Sequence, residues 1–345
     1  MSELLAKLLP SDDALLDGVG AHHAVPAHLR SAAQQALESS GFPHLKTEAW
    51  KYTSLRRVET WDFHPDVVDH TAVQVMLDEY FSGQLPQRYL IFAGGQYLAG
   101  LSRADDNTPS HSAALTNSLA KVIERQRQSE DAFVNLCLAT TPHAWSIELH
   151  KNNEPLHLVY LPAQPGQESN NSTLDQLYLH LNVTAQEKCS VIEHYLHDSQ
   201  GLSNYCTHIE LSEGAQLSHG RRVLNSDRSA QISRTELDVA ANARYELAEA
   251  IHHGMLVRHE ARVYFNGVNG HASVSSAARL TGKARLDQDW LMIHEANHCK
   301  TEQNFRAAVD DHSSASFTGR AKITERIAGS VVPVSYTHLR AHETR

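Results

Sequence analysis

The amino-acid sequence predicts a mainly β protein built as a solenoid, with a mostly α-helical region in front of it. Apolar residues recur at helical spacing in the first third of the chain, whereas the chain after residue 174 consists of short alternating segments. Between them, residues 161–176 are rich in Pro, Gly, Asn and Ser and are predicted to form a long surface loop. We therefore predict a helical region with a small hairpin at 1–145, a β-solenoid core at 146–328 and an unstructured tail at 329–345.

Two helices and one hairpin are predicted within the first region. Pro26 can occupy the first turn of a helix over PAHLRSAAQQALESSG, which Gly41 and Pro43 would end. The segment RYLIFAGGQYLAGLS has two short apolar runs around Gly94-Gly95, as in a β-hairpin. A second helix is predicted over HSAALTNSLAKVIERQRQ, where four apolar residues have helical spacing: Leu115, Leu119, Val122 and Ile123.

The core is predicted to be a solenoid because its segments recur with a nearly constant period. Each segment has an alternating strand, a small or polar turn and a second alternating strand. Four apolar residues take equivalent places at steps of about 28, 28 and 26 residues: Val183, Leu211, Val239 and Phe265. An antiparallel β-sandwich is the alternative, because its strand-turn-strand units also recur regularly. The long period and the recurring Gly, Ala or Ser in the turn favour the solenoid.

Composition and charge exclude several classes of partner. The 345-residue chain has a formal net charge of −10, which argues against a nucleic-acid partner. No stretch approaches the ~18 apolar residues of a membrane span, and the N-terminus has no basic signal-peptide region. We therefore expect a cytoplasmic protein with no membrane partner. Its cysteines should stay reduced, and none forms a CxxC pair that would indicate a self-contained metal or cluster site: Cys137, Cys189, Cys206 and Cys299.

The sharpest local motif is His294-Glu295-Ala-Asn-His298, a formal match to the HExxH pattern. On a helix this spacing aligns two imidazole ligands for zinc, while the Glu activates the bound water. The preceding residues alternate as in a strand, however, and Asn297 is a poor residue for a helix interior. A zinc-dependent hydrolase that uses the HEANH segment therefore remains the alternative function. A polysaccharide-active β-helix enzyme would need a repeated column of carboxylates, which the sequence does not show.

The candidate metal-contacting residues are His298 and Cys299. Imidazole and thiolate bind soft metals, and Lys300 beside them could favour the thiolate. Adjacent residues on a strand point to opposite faces, so both side chains could reach one ion only from a turn. His338 and His342 also have ligand spacing, but two histidines and a carboxylate do not close a four-coordinate site. No catalytic residue is predicted.

The stretch FPHLKTEAWKYTSLRRVE, residues 42–59, resembles the N-terminal signature of the SufB/SufD family, the scaffold subunits of the SUF system for iron–sulfur cluster assembly. Further similarities follow in order: the hairpin LIFAGGQYLAGLS, the strand VIEHY, the segment LSEGAQLSH, Arg258 ahead of an FNG turn, and the region from His294 to Gly319. The form is closer to SufD than to SufB. The family pattern P-x-x-K-x-E-x-W-K-Y-T-x-L is matched at Pro43, Lys46, Glu48, Trp50, Lys51, Tyr52, Thr53 and Leu55.

The resemblance implies a right-handed parallel β-helix behind an N-terminal helical region, in agreement with the coils described above. It implies a scaffold role without enzymatic activity. The partners would be a SufB-like paralogue, bound through the β-helix, and a SufC-like ATPase, bound through a C-terminal helical domain. An iron–sulfur cluster would be assembled transiently in that complex, and this chain alone would hold no cofactor stably. The HEANH segment would then belong to a coil.

The resemblance stops at about residues 323–328. Family members continue with a strand bearing a Cys/His run and then with the ATPase-binding helices, whereas this chain continues with GSVVPVSYTHLRAHETR. We therefore expect a C-terminally truncated member of the family whose tail is foreign to the fold. Such a chain should lack the docking domain for the ATPase and bind it poorly.

Overall fold

Parallel β-strands make up most of the regular secondary structure, which confirms the predicted solenoid. The computed structural model describes residues 3–8, 25–64, 67–129, 131–151, 153–166, 172–324 and 328–340. Its α-helices are α1 (Glu3–Leu8), α2 (Ala27–Ser40), α3 (Arg56–Glu59), α4 (His70–Tyr80), α5 (Ala113–Ser129) and α6 (Ala132–Thr140). Short 3₁₀ helices lie at Glu48–Trp50, Ala99–Leu101 and Asp105–Asn107. Within these described ranges, no helix is long and apolar enough to cross a membrane.

Successive strands of the solenoid alternate between two sheets. The strands are β1 (Tyr89–Ala93), β2 (Gln96–Tyr97), β3 (Ala144–Leu149), β4 (Leu156–Leu161), β5 (Thr173–Val183), β6 (Lys188–His197), β7 (Gly201–Leu211), β8 (Gln216–Asn225), β9 (Ser229–Val239), β10 (Arg244–His253), β11 (Leu256–Phe265), β12 (His271–Leu280), β13 (Arg285–His294), β14 (Lys300–Val309), β15 (Ser314–Ile323) and β16 (Val334–Arg340). The first sheet has the order β16-β14-β12-β10-β8-β6-β4-β1-β2, and the second has the order β15-β13-β11-β9-β7-β5-β3. The antiparallel pair β1–β2 is the predicted hairpin.

The residues that predicted the period are direct neighbours in the second sheet. Val183 lies opposite Leu211, Leu211 lies opposite Val239, and Val239 lies opposite Phe265. These pairs are parallel, so the sandwich alternative is wrong. Each coil therefore places its equivalent residue directly over that of the coil before it, and the apolar side chains fill the space between the two sheets.

One corner of the solenoid has the same backbone conformation in five successive coils. The corner residues follow β5, β7, β9, β11 and β13, are 27–29 residues apart, and all have φ between 59° and 69°: Gln186, Gly214, Asn242, Asn269 and His298. This left-handed region is open to Gly and tolerated by Asn. The Asn269 amide also donates a 3.0 Å hydrogen bond to the Asn242 side-chain oxygen of the coil before it.

Helices α2, α5 and α6 form a layer over the outer face of the second sheet, whereas α4 packs against the first sheet. The four apolar residues predicted for the second helix lie in α5 and are all buried. Helix α6 is buried almost throughout, because it lies between α2 and the sheet, and Asp131 caps it by accepting hydrogen bonds from the backbone N–H groups of Phe133 and Val134. Gly41 ends α2 with φ 69°, as predicted. The core of the solenoid and the helical region thus share apolar clusters.

Two predicted irregular segments are shorter in the structure. Strand β4 ends at Leu161 and β5 begins at Thr173, so the segment between them is shorter than the loop predicted at 161–176. The tail predicted to be unstructured at 329–345 contains β16, which extends the first sheet by pairing with β14. His338 lies in this strand, opposite Ala307, whereas His342 lies outside the described residues.

Candidate functional site

The structure separates the two predicted metal-contacting residues. His298 is exposed and occupies the left-handed corner after β13. Cys299 is fully buried, its thiol faces the backbone oxygen of Gly267 at 3.4 Å, and burial raises its pKa. A buried thiol with a raised pKa is a poor metal ligand because the thiolate is the binding form. The pair therefore remains a prediction without geometric support.

The HEANH segment does not lie on a helix. His294 is the last residue of β13, and the residues after it form the turn to β14. The His294 ring is buried and stacks on Phe265 with 4.6 Å between ring centroids, while His298 is exposed at the corner. The two imidazoles thus lack the one-turn helical alignment on which a zinc hydrolase of the HExxH type depends. The segment is part of a coil, as the family resemblance implied.

A charged network lies inside the solenoid, between the two sheets. Arg221 of β8 donates to Glu193 of β6 and to Glu249 of β10, each at 2.9 Å, and its guanidinium also contacts the His259 ring. Glu193 accepts hydrogen bonds from the hydroxyls of Tyr160 and Tyr195 at 3.0 and 2.9 Å. All these groups are buried. We call Glu193, Arg221, Glu249 and His259 the inner network.

Charge pairing keeps the carboxylates of the inner network ionised. Burial alone would raise the pKa of Glu193, but His219 and Arg221 lower it to about 2. Burial likewise opposes ionisation of Glu249, whose pKa His259 and Arg221 lower to about 2. The network is closed to solvent and internally paired, so its charged groups bind one another across neighbouring coils rather than a substrate.

A second charged arrangement joins the N-terminal signature to the outer face of the second sheet. The fully buried guanidinium of Arg258 lies over the Trp50 ring, 4.1 Å from its centroid, and donates to the Ala49 oxygen at 2.8 Å. Thr53 donates to Asp287, which also accepts from Arg258. The signature residues therefore form the contact that holds this segment on the solenoid.

A cavity of about 350 Å³ lies beside this contact. Its lining includes apolar and charged side chains: Phe42, Trp50, Asp131, Arg234, Glu260 and Arg262. Burial and the neighbouring Glu260 carboxylate raise the pKa of Asp131 to about 6. Arg234 contacts both carboxylates, at 3.2 Å for Asp131 and 2.5 Å for Glu260, so the charges in the wall are compensated.

Two histidines and a glutamate converge where α5 meets the second sheet. His180 of β5 and His208 of β7 are opposite each other in the parallel register, and Glu210 is two residues beyond His208. One ligand atom from each of the three lies within 4.8 Å of the others. Within the part of the chain that the structure describes, this is the group of His, Cys, Asp and Glu side chains whose spacing could hold a metal ion.

The sequence of residues 167–335 matches the family model described as the SufBD core domain of the SUF system for FeS cluster assembly. The match begins just before β5 and ends within β16, so it covers the successive coils described above. The chain belongs to the SufB/SufD family. This confirms the resemblance noted in the sequence, and the family gives the protein a role in iron–sulfur cluster assembly.

Two curated relatives extend the similarity of this SufB/SufD-family chain beyond the core. It is 23% identical over 302 residues to the iron-sulfur cluster assembly protein SufD of Escherichia coli K12, covering 85% of this chain and 69% of that protein. It is 21% identical over 335 residues to the iron-sulfur cluster assembly SufBD family protein slr0076 of Synechocystis sp. PCC 6803, covering 89% and 71%. The chain is thus near SufD.

Neither the inner network nor the group of His180, His208 and Glu210 was predicted for this SufB/SufD-family protein, although the period of its sequence contains the signal. Glu193, Arg221 and Glu249 are register partners in consecutive coils, and so are His180 and His208. Aligning polar residues as well as apolar ones on the 28-residue period would have placed each set in one column. The period alone does not indicate which sets of equivalent residues face the interior of the solenoid and which lie beneath the helices.

Proposed function

We propose that this protein is a non-enzymatic scaffold subunit that acts with a SufB-like paralogue and a SufC-like ATPase in iron–sulfur cluster assembly. The observation that carries the proposal is the SufBD core match over residues 167–335, which coincides with the coils β5 to β16. The network inside these coils is closed and fully paired, which supports a structural rather than a catalytic use of the solenoid.

The last coil offers the surface on which we propose that the SufB-like paralogue binds. Among the described residues, β15 pairs with β13 on one side only, so its other edge presents backbone N–H and C=O groups. Three large apolar side chains near this end are about half exposed, at 51%, 48% and 46%: Ile323, Val331 and Val334. An open strand edge beside apolar side chains favours pairing with another β-sheet.

We propose further that the cluster forms in the complex and is not held stably by this chain alone. All four cysteines of the chain are buried, and the exposed His298 has no thiolate beside it on the surface. Thiolates are the usual ligands of iron–sulfur clusters. The partner would therefore supply the thiolate ligands of the nascent cluster.

Co-expression of the chain with a cognate SufB and SufC tests the partnership. We expect SufB to co-purify with the chain, and the variants Ile323→Lys and Val334→Lys to reduce its recovery at least tenfold. The matched control is Val268→Lys, because Val268 is 44% exposed at the corner after β11, away from the last coil. Failure to recover SufB with the unmodified chain would reject the partnership, and an equal loss in the Val268 variant would reject the proposed surface.

Anaerobic reconstitution with iron and sulfide tests the proposal about the cluster. We expect less than one tenth of an equivalent of cluster on the isolated chain after desalting, and stable incorporation only with the partners present. A stoichiometric cluster on the isolated chain would overturn this part of the proposal.

A further inference from the structure

We propose that His180, His208 and Glu210, together with Asp238, form a site for one divalent transition-metal ion that the Lys121 ammonium occupies in the metal-free protein. The proposal goes beyond the scaffold role and does not depend on it, because the site lies within this chain.

Three of the four donor groups already converge: ligand atoms of His180, His208 and Glu210 lie within 4.8 Å of one another. His180 Nε2 is 3.0 Å from a carboxylate oxygen of Glu210, and Asp238 joins the group through His208 Nε2, 2.7 Å from its carboxylate oxygen. The centroids of the two imidazole rings are 5.6 Å apart. Bonds from zinc to imidazole nitrogen and carboxylate oxygen are about 2.0–2.2 Å, so the donor atoms would move closer together to surround one ion.

Each histidine is oriented from behind by a serine. Ser146 contacts His180 Nδ1 at 3.0 Å, and Ser118 contacts His208 Nδ1 at 2.7 Å. Both rings are fully buried. Metal-binding histidines characteristically use the second ring nitrogen in this way, which fixes the ring and leaves the first nitrogen to the ion. Because a serine hydroxyl can donate or accept, each ring can carry its proton on Nδ1 when Nε2 binds the metal, with no net proton released.

Lys121 of α5 stands where a cation is needed. Its ammonium is 2.9 Å from Glu210 and 2.7 Å from Asp238, so it neutralises both carboxylates of the proposed site. The Lys121 side chain is 39% exposed and flexible, so it can turn outward to solvent. Binding of the metal would then exchange one cation for another without leaving a buried carboxylate unpaired.

The donor set suits a metal. Neutral imidazoles and ionised carboxylates are the forms that bind metals. A set of two imidazoles and two carboxylates without thiolate fits Zn²⁺ or Fe²⁺.

Titration of the tag-free chain with Zn²⁺ against a chromophoric chelator tests the proposal, with Co²⁺ as a spectroscopic probe. We expect one equivalent to bind, with visible Co²⁺ absorption of an imidazole and carboxylate site. His208→Ala and Glu210→Gln should weaken binding at least tenfold. Lys121→Met should tighten it about tenfold, because it removes the competing ammonium, and an unfolded variant could not produce that gain.

His252→Ala is the matched control, since His252 is exposed on β10, in the other sheet. It should leave the affinity unchanged. The proposal is overturned if no stoichiometric binding occurs, if the control weakens binding as much as His208→Ala, or if Lys121→Met leaves the affinity as it was. Circular dichroism without metal verifies that each variant is folded.

Discussion

Arg258 and Trp50 are 208 positions apart in the chain, yet the guanidinium of Arg258 lies 4.1 Å from the centroid of the Trp50 ring. The same guanidinium donates to Glu260 at 2.7 Å and contacts Asp287. The contact therefore combines a cation–π interaction with buried ion pairs. It explains in physical terms why the signature and the arginine ahead of the FNG turn occur together: one docks on the other.

Replacing Arg258 should detach the signature segment. Arg258→Met leaves the buried carboxylate of Asp287 without its cation, whereas Glu260 keeps Arg234, and we expect a loss of about 3–5 kcal/mol in the free energy of unfolding. Urea denaturation followed by Trp fluorescence measures it. Arg279→Met on the exposed face of β12 is the control and should cost less than about 0.5 kcal/mol. Equal effects of the two variants would contradict the docking role.

Replacing Arg221 should destabilise the coils from within. Arg221→Met removes the guanidinium that Glu193 and Glu249 share and leaves both buried carboxylates with only hydroxyl and imidazole partners, so we expect a loss of about 3–5 kcal/mol in the free energy of unfolding. Removing the charges together, by Glu193→Gln and Glu249→Gln in the Arg221→Met background, should restore part of the loss. Thermal melting measures both changes, with Arg306→Met on the exposed face of β14 as control. A triple variant less stable than Arg221→Met would contradict the pairing.

Most of the solenoid could be predicted from the sequence because every coil needs apolar residues at the same positions. Val183, Leu211, Val239 and Phe265 must all fill the same interior layer, so their period is visible without a structure. The helices α2 and α5 could be predicted for a similar reason, since one face of each must be apolar.

The site at His180 and His208 could not be predicted, because its burial depends on which part of the chain packs over it. His180 and His208 lie on the outer face of the second sheet, where a strand would normally meet water. They are buried because α5 crosses that face and brings Ser118 and Lys121 to them. This contact joins segments 60 to 90 residues apart, a relationship that local spacing does not encode.

Acid should weaken the protein partly through His194. Burial lowers the pKa of His194 to about 3, with smaller contributions from His157 and Arg222. Its ring also forms a 2.8 Å hydrogen bond with the Tyr80 hydroxyl. The unfolded chain gains a proton near pH 6.5 and the folded chain only near pH 3, so stability falls as pH drops below about 6.5. By pH 5 this group should cost about 2 kcal/mol.

The variant His194→Gln isolates this contribution. Urea denaturation at pH 7.5 and pH 5 should show a smaller difference in the free energy of unfolding for the variant than for the unmodified chain. His252→Gln, at an exposed position of β10, should keep the full difference. A pH difference unchanged by His194→Gln would show that other groups carry the acid sensitivity.

His298 should be replaceable by any residue that accepts the left-handed corner. His298→Asn should change the free energy of unfolding by less than about 0.5 kcal/mol, because Asn242 and Asn269 occupy the equivalent corners. His298→Val should cost about 1–3 kcal/mol, since a β-branched residue is strained there. Thermal melting compares the two. If Asn abolished partner binding or cluster assembly while the fold was retained, a ligand role for His298 would stand in place of the structural one.

The four cysteines should be unreactive in the native protein. Burial raises the pKa of Cys189 to about 11 and also raises that of Cys299, so little thiolate is present at pH 8. We expect Ellman's reagent to modify none of the thiols rapidly in the folded chain and four after unfolding. If one native thiol reacted rapidly and mass spectrometry identified it as Cys299, the predicted role of Cys299 as a metal ligand would be supported.

The inner network has a consequence for how the solenoid melts. In a repeat protein held by apolar contacts alone, end coils can fray one at a time, because each coil loses only its nearest neighbour. Here Arg221 binds carboxylates in the coils on both sides. If one coil opened, a buried charge in the neighbouring coil would lose its partner. Fraying is thereby penalised in the middle of the stack, and the coils from β6 to β10 should unfold as one cooperative unit that hydrogen exchange would detect as a single block of protected amides.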